Sequence, residues 1–244
     1  MKILLTGSTG YIGRRLLPEL VKLGHFVVCP VRDKRRFDFE DFDAEFLKSV
    51  EVIECDFLNQ ESLKQLPSDV DAAYYLIHSL TSDSKEFSKL ESETASNFSD
   101  YIHHTNTKQV IYLGGIANDE NLSDHLSSRR NVENILKESQ VSLTVLRSAI
   151  IIGSGGASFE IIRDLVEKLP VMIAPKWLNS KCQPIGIYNV IQYLTGVLGN
   201  KEALDQTFDI GGKDILTYKQ MLLQFAEVRG LKRYILTVPV LTIR

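Results

Sequence analysis

Apolar residues along this chain switch between two periods, and each switch marks an element. Ile3, Leu4 and Leu5 form a short continuous apolar run, the pattern of a strand buried on both faces. Leu16, Leu17, Leu20, Val21 and Leu23 then recur at helical spacing and make one apolar face, with Gly24 as the expected stop. Pro18 falls inside this helix, where its ring removes a backbone donor, and a local kink is expected. Further on, strands are expected at residues 25–31, 50–54, 70–77, 109–113 and 142–146. Between them lie a short surface helix over 37–48, a short helix over 61–66, a long helix over about 83–104 and another over about 123–139. The long helix carries Phe87, Leu90, Ala95, Phe98 and Ile102 on one face.

Strands separated in this way by helices predict an α/β protein with a Rossmann-type doubly wound parallel sheet. In such a sheet, right-handed crossovers place a ligand at the carboxyl ends of the strands. From about Gly153 the pattern loosens: a helix over 157–169, a loop-like stretch over 171–181 holding Trp177, a short strand over 184–187, a helix over 188–198, a strand over 206–210 and a helix over 217–228. The expected organisation is a dinucleotide-binding core over residues 1–152 and a smaller substrate-side lobe over 153–244. Residues 234–244 are apolar and end without a polar tail, so the natural protein is expected to continue beyond them.

Composition narrows the classes. A chain of 244 residues, 44% hydrophobic and 24% charged, can bury a full core. Its net charge of −3 gives no electrostatic reason to expect nucleic acid or an anionic membrane surface. No run approaches the roughly 20 apolar residues of a spanning helix. The three cysteines, Cys29, Cys55 and Cys182, lack metal-ligand spacing, so no metal is expected. Cys29 and Cys55 sit in strand-like runs as small core residues. These features point to the reducing cytoplasm and to a small-molecule substrate or apolar ligand, with a homodimer left open.

The stretch between the first strand and first helix, Thr6-Gly7-Ser8-Thr9-Gly10-Tyr11-Ile12-Gly13, carries the chemistry. Gly7 can take the backbone angles of a sharp turn, Gly10 lets a pyrophosphate approach the backbone, and Gly13 lets the helix lie close to the strand. Free N–H groups and the dipole at the helix start favour a phosphate. The residue ending the second strand faces the adenosine ribose, where arginine accommodates the 2′-phosphate of NADP and a carboxylate binds the 2′-hydroxyl of NAD. Arg32 lies 19 residues beyond Gly13, at the expected place, with Lys34, Arg35 and Arg36 downstream, so NADP is expected. Asp33 is one residue away and keeps NAD open. Asp56, after the third strand, can accept from the adenine amino group or serve as a turn residue. Phe57 beside it, Ile77 and His78 after the fourth strand, and Gly114 at the end of the fifth are placed along the cofactor. His78 reads either as a nicotinamide or substrate contact or as a loop histidine.

The T-G-x-x-G-x-x-G turn and the order of strand ends resemble the short-chain dehydrogenase/reductase superfamily, in its extended and atypical branches near the NmrA-like and nucleoside-diphosphate-sugar epimerase-like proteins. The resemblance covers most of the chain, with Gln183-Pro184-Ile185 and Phe208-Asp209-Ile210-Gly211-Gly212 similar to later landmarks. It implies a serine near the end of the fifth strand and Y-x-x-x-K on the next helix. Here the strand ends in Leu113-Gly114-Gly115-Ile116, and the helix carries His125-Leu126-Ser127-Ser128-Arg129, similar to an atypical subgroup with H-x-x-x-R. Residues i and i+4 share a helix face. His125 then reads as general acid or base, and Arg129 as a group for ribose, phosphate or a developing oxyanion. Alternatively, Arg129 pairs with Glu133 one turn on, and His125 is a surface residue. His103 and His104 read as structural, Arg147 as a loop pin, residues 148–150 as neighbours of the nicotinamide amide and Trp177 as a pocket or interface cover. The implied activity is NADP-dependent hydride transfer on a carbonyl or alcohol; the alternatives are a non-catalytic redox sensor of NmrA type and an assembly or carrier protein for an apolar ligand.

Overall fold

The computed structural model describes residues 1–78, 84–116 and 124–238. The first elements are β1 (Lys2–Leu5), α1 (Gly13–Lys22), β2 (Phe26–Val31), α2 (Ala44–Leu47), β3 (Val50–Glu54), α3 (Gln60–Leu63), β4 (Ala72–Tyr75), α4 (Ser84–His103), β5 (Gln109–Gly115), α5 (Asp124–Lys137) and β6 (Ser142–Ser148). They are followed by β7 (Ile151–Ile152), α6 (Ala157–Lys168), β8 (Val171–Pro175), β9 (Lys181–Cys182), β10 (Ile185–Gly186), α7 (Ile187–Gly196), β11 (Thr207–Ile210), β12 (Leu216–Thr217), α8 (Tyr218–Val228) and β13 (Tyr234–Val238). The chain divides into two compact units, Met1–Arg147 with Ile191–Asp209, and Ser148–Val190 with Ile210–Arg244.

The first unit is built on a seven-stranded sheet in the order β11-β6-β5-β4-β1-β2-β3. β1 pairs in parallel with β2 and β4, β2 with β3, and β4 with β5. This is the doubly wound Rossmann-type sheet that the alternation of strands and helices predicts. Ile3 stands opposite Val27 on one side and Ala72 on the other, so β1 is interior, and Ile3, Leu4 and Leu5 are fully buried. Leu4, Val28, Ala73 and Val110 pack with Phe98 and Ile102 of α4 and Val132 and Leu136 of α5. Ile3 and Leu5 point to the opposite face, and Leu16, Leu17 and Leu20 of α1 are buried as well. The strand cysteines belong to this core: burial pushes the Cys29 thiol up to about 12 and raises Cys55, far from thiolate reactivity. The strand order reverses between β1 and β4, which puts the ligand crevice of such a sheet beside the exits of these two strands.

The last strand of this sheet comes from late in the chain. Val145 N donates to Gln206 O, and Asp205 accepts from Leu143 N and Ser142 Oγ. Gln109 ties the region together, donating to Thr144 Oγ1 and Val197 O and accepting from Gly199 N.

The second unit has its own small core of Val166, Met172, Ala174, Leu178, Leu222, Ala226 and Ile235. β8 and β13 form a parallel pair with Tyr234 opposite Val171 and Leu236 opposite Ile173. α8 opens on a capping box in which Thr217 and Gln220 satisfy each other's backbone donors. Gln183 Nε2 donates to Gly212 O and Gly212 N donates to Pro184 O, so the two late sequence landmarks lock together.

Two local expectations are corrected. Residues 37–48 are not one helix: only Ala44–Leu47 is α-helical, and the ring centroids of Phe42 and Phe46 stack at 4.2 Å while Phe37 turns inward. Residues 171–181 are not a loop, because β8 lies within them and β9 begins at Lys181. α1 runs from Gly13 to Lys22 and holds Pro18 inside it, where the sequence places it. Among the described residues no helix is long and apolar enough to cross a membrane.

Candidate functional site

The turn after β1 has a defined internal geometry. Gly7 has φ +68°, and a Cβ there would lie 2.5 Å from Leu76 O, which is backbone just past β4. A Cβ on Gly13 would lie 2.2 Å from Gly7 O and 2.7 Å from the Ser8 Cα. Both positions therefore exclude any side chain. Gly10 differs, because its Cβ would meet only Gly7 O, at 3.1 Å, so its outward side is open. Gly10 N donates to Gly7 O and closes the turn. Thr6 is fully buried; its hydroxyl donates to Tyr74 O and accepts from Leu76 N, clamping β1 to β4 rather than facing the open side.

α1 begins without a side-chain cap on Ile12 and without an acidic residue in its first turn, which carries Arg14 and Arg15 instead. Arginines oppose the positive end of a helix dipole. An uncapped start among cations and open backbone is a fit for the phosphates of a dinucleotide. Arg15 stacks over the Tyr11 ring at 4.2 Å and donates to Tyr11 O. A pocket beside the turn is lined by Ser8, Thr9, Arg14, Arg36, Phe37 and Asp38, among others.

At the ribose end the two rival residues separate. Asp33 is held by Arg35, whose Nε and Nη2 donate to both carboxylate oxygens and whose backbone N–H donates to Oδ1. These bonds hold the Asp33 carboxyl below its ordinary value. Arg32, immediately after β2, is exposed. Asp56 forms a turn, its Oδ1 accepting from Leu58 N. Phe57 is in the core against Phe98 at 5.8 Å, and Ile77 packs against the same core.

The exit of β4 carries the other chemistry. His78 Nδ1 lies 2.6 Å from Glu91 Oε1, and Arg129 Nη2 lies 3.1 Å from His78 Nε2. Ser128 Oγ donates to Glu91 Oε2 at 2.5 Å. Glu91 projects from α4 and is buried. Burial alone would raise its carboxyl; the bonds from His78 and Ser128, with the charges of a protonated His78 and of Arg129, outweigh it and leave the carboxyl below its ordinary value. At the end of β5 a Cβ on Gly115 would lie 2.9 Å from Leu126 and 3.4 Å from Arg129 Cδ. A side chain at this position would press on the tip of Leu126 and touch Arg129, both carried by α5. Gly114 is buried against Tyr112.

Arg129 does not pair with Glu133. Glu133 is buried and takes a two-pronged contact from Arg147 and another from Lys137, so Arg147 ties β6 to helix α5 rather than pinning a loop. His103 and His104 bond backbone carbonyls of Ser139 and Asp100. Trp177 packs edge-on against Tyr218 within the second unit. The side chain of His125 lies outside the described residues. Sequence reasoning missed Glu91, Ser128 and Gly115. The signal for Glu91 was present: it lies one turn before Ala95 on the face that continues through Phe98 and Ile102. An acid on a buried helix face marks a specific partner.

Comparison with known proteins agrees with this geometry. A family model described as NAD(P)H-binding matches residues 7–165. The chain is 24% identical over 226 residues to divinyl chlorophyllide a 8-vinyl-reductase of Arabidopsis thaliana, covering 87% of this chain and 53% of that protein. It is 23% identical over 216 residues to the NADH-ubiquinone oxidoreductase 40 kDa subunit of Neurospora crassa, covering 86% and 56%. The chain thus spans about half the length of these curated relatives. In fold it is similar to UDP-glucuronic acid 4-epimerase from Bacillus cereus, solved with NAD, at TM-score 0.79 and 18% identity over 98% of this chain and 86% of that one. The likeness to that epimerase is one of fold. With turn, strand order and sequence match in agreement, this chain belongs to the NAD(P)H-binding family.

Proposed function

We propose that this chain is the nucleotide-binding part of an oxidoreductase of the atypical short-chain dehydrogenase/reductase type, which prefers NADP and acts on a carbonyl or alcohol of a small molecule. The observation that carries the cofactor preference is the Asp33–Arg35 pair. It engages the Asp33 carboxylate, the group at the end of β2 that would bind a 2′-hydroxyl, and leaves Arg32 exposed. The uncapped start of α1 and the open side of Gly10 support the pyrophosphate position. When bound, the dinucleotide supplies the hydride chemistry. Arg129 binds ribose or polarises a substrate oxygen. The proton is handled by a histidine, either His125 on α5 or His78 at the exit of β4. The reductase named among the relatives supports an enzyme.

A second reading is a redox sensor that binds the nucleotide without turnover, favoured by the absence of serine at the end of β5. The separating experiment measures NADPH and NADH affinities by fluorescence titration, then screens carbonyl compounds with NADPH. Tighter NADPH binding with turnover supports the enzyme. Equal affinities for NADPH and NADH refute the NADP preference. Binding that distinguishes NADP from NADPH, with no turnover, favours the sensor.

A further inference from the structure

The hydrogen bonds around His78 fix its proton. A guanidinium has only donors, so the contact from Arg129 Nη2 requires Nε2 of His78 to accept. The single ring proton is then on Nδ1, where it is donated to Glu91 Oε1. Glu91 cannot turn away. Its second oxygen is held by Ser128, and its helix is anchored by fully buried Ala95, Phe98 and Ile102. The result is a buried carboxylate behind a histidine whose outer nitrogen carries a lone pair, an arrangement that orients an imidazole for proton transfer.

The position is equally specific. His78 follows Leu76, whose carbonyl packs on Gly7 and whose N–H bonds Thr6. The imidazole therefore stands at the carboxyl end of β4, beside the glycine turn, where a doubly wound sheet receives its ligand. The ring retains solvent access, its side chain being 32% exposed against 5% for Glu91.

We propose that His78 is the proton-transfer residue of this site, presented by Glu91 as the Nδ1–H tautomer and covered at Nε2 by Arg129 until an oxygen-bearing ligand draws the guanidinium away. This rests on the oxidoreductase reading above and names the group that handles its proton. In the oxidative direction a substrate hydroxyl gives its proton to Nε2 while its C–H hydride passes to an oxidised nicotinamide dinucleotide. The products are a carbonyl, the reduced dinucleotide and an imidazolium; the reverse steps return both. Glu91 is a positioning residue and Arg129 an electrostatic partner of the ligand oxygen.

Two readouts test this on the whole chain. Long-range proton–nitrogen NMR of the imidazoles at pH 8, assigned with His78→Gln, is expected to show Nδ1 protonated and Nε2 bare. Glu91→Gln is expected to mix the tautomers, and NADP⁺ to shift the Nε2 resonance as Arg129 leaves. An Nε2–H ring in wild type, or a His78 signal indifferent to saturating NADP⁺, overturns the proposal. With NADPH and a panel of aldehydes and ketones, His78→Gln is expected to lower kcat by about 100-fold or more, a loss that persists at saturating NADPH. Glu91→Gln is expected to lower kcat with KM preserved. Turnover that survives in His78→Gln and is lost in His125→Gln overturns the proposal and moves the proton to α5. If wild type reduces nothing in the panel, the oxidoreductase reading falls; an Nδ1–H ring that still responds to NADP⁺ then supports the held histidine as part of the nucleotide site alone.

Discussion

Glu91 Oε1 lies 2.6 Å from His78 Nδ1 although the two residues are thirteen positions apart and only Glu91 is on α4. The carboxylate also accepts from Ser128, so both oxygens are engaged in a place that burial alone would make unfavourable for charge.

The consequence for acid stability has a definite sign. The folded Glu91 carboxyl lies below its ordinary value, so its contribution is present above the unfolded pKa of about 4.3 and is lost as pH falls through the folded value. The groups facing it are His78, Ser128, Arg129 and the tyrosines Tyr75 and Tyr112, whose hydroxyls burial keeps protonated. Urea unfolding at pH 7 is expected to show Glu91→Gln less stable by about 1.5–3 kcal/mol, the range for bonds to a charged group. The gap should shrink below about pH 4. A gap that is the same at pH 7 and pH 3.5 would contradict this.

The glycines of the turn should separate folding from binding. Gly13→Ala drives a Cβ to within 2.2 Å of backbone and is expected to cost about 1–3 kcal/mol or more. Gly10→Ala meets only Gly7 O at 3.1 Å and should fold normally, while NADPH affinity falls at least tenfold, about 1.4 kcal/mol. Thermal melts and NADPH titration of both variants check this; unchanged NADPH affinity in a folded Gly10→Ala would remove the pyrophosphate from the turn.

Cofactor preference should follow Arg32 and ignore Asp33. Arg32→Ala is expected to weaken NADPH binding by about 10–100-fold, the worth of charge-assisted bonds to a phosphate, with little change for NADH. Asp33→Ala, which removes a side chain already held by Arg35, should leave the preference in place. A preference that survives Arg32→Ala assigns the basic stretch to solvent.

Glu133 offers a structural contrast on the same helix as Arg129. It is buried and carries Arg147 and Lys137. Glu133→Ala is expected to destabilise by about 3 kcal/mol by leaving Arg147 unpaired, with NADPH affinity unchanged in the folded fraction. Chemical denaturation with parallel titration tests both halves.

The parallel strands were legible because each is a continuous apolar run between turns, and the glycine turn because its residues are close in sequence. β8 was not, since Val171 and Ile173 are exposed and its partner β13 lies far along the chain. β11 was readable as a strand, but its place beside β6 was not, because that pairing is non-local. The site divides in the same way. His78 and Arg129 could be singled out one by one, yet their contact spans 51 positions, and Glu91 looked like one more polar helix residue until its face was traced. The alternative Arg129–Glu133 pair does not form: half-buried Arg147 gives Glu133 a two-pronged bond.

The most direct test of the central claim is the separation between His78 Nε2 and the nicotinamide C4 in a crystal structure of the NADP⁺ complex. The expected result is a pyrophosphate at the Gly7–Gly13 turn, Arg129 withdrawn from His78, and Nε2 and C4 separated by the space of one substrate oxygen and carbon, with Nε2 about 3 Å from the oxygen position. A nicotinamide bound away from the exit of β4, or His78 still covered by Arg129 with NADP⁺ in place, would contradict it.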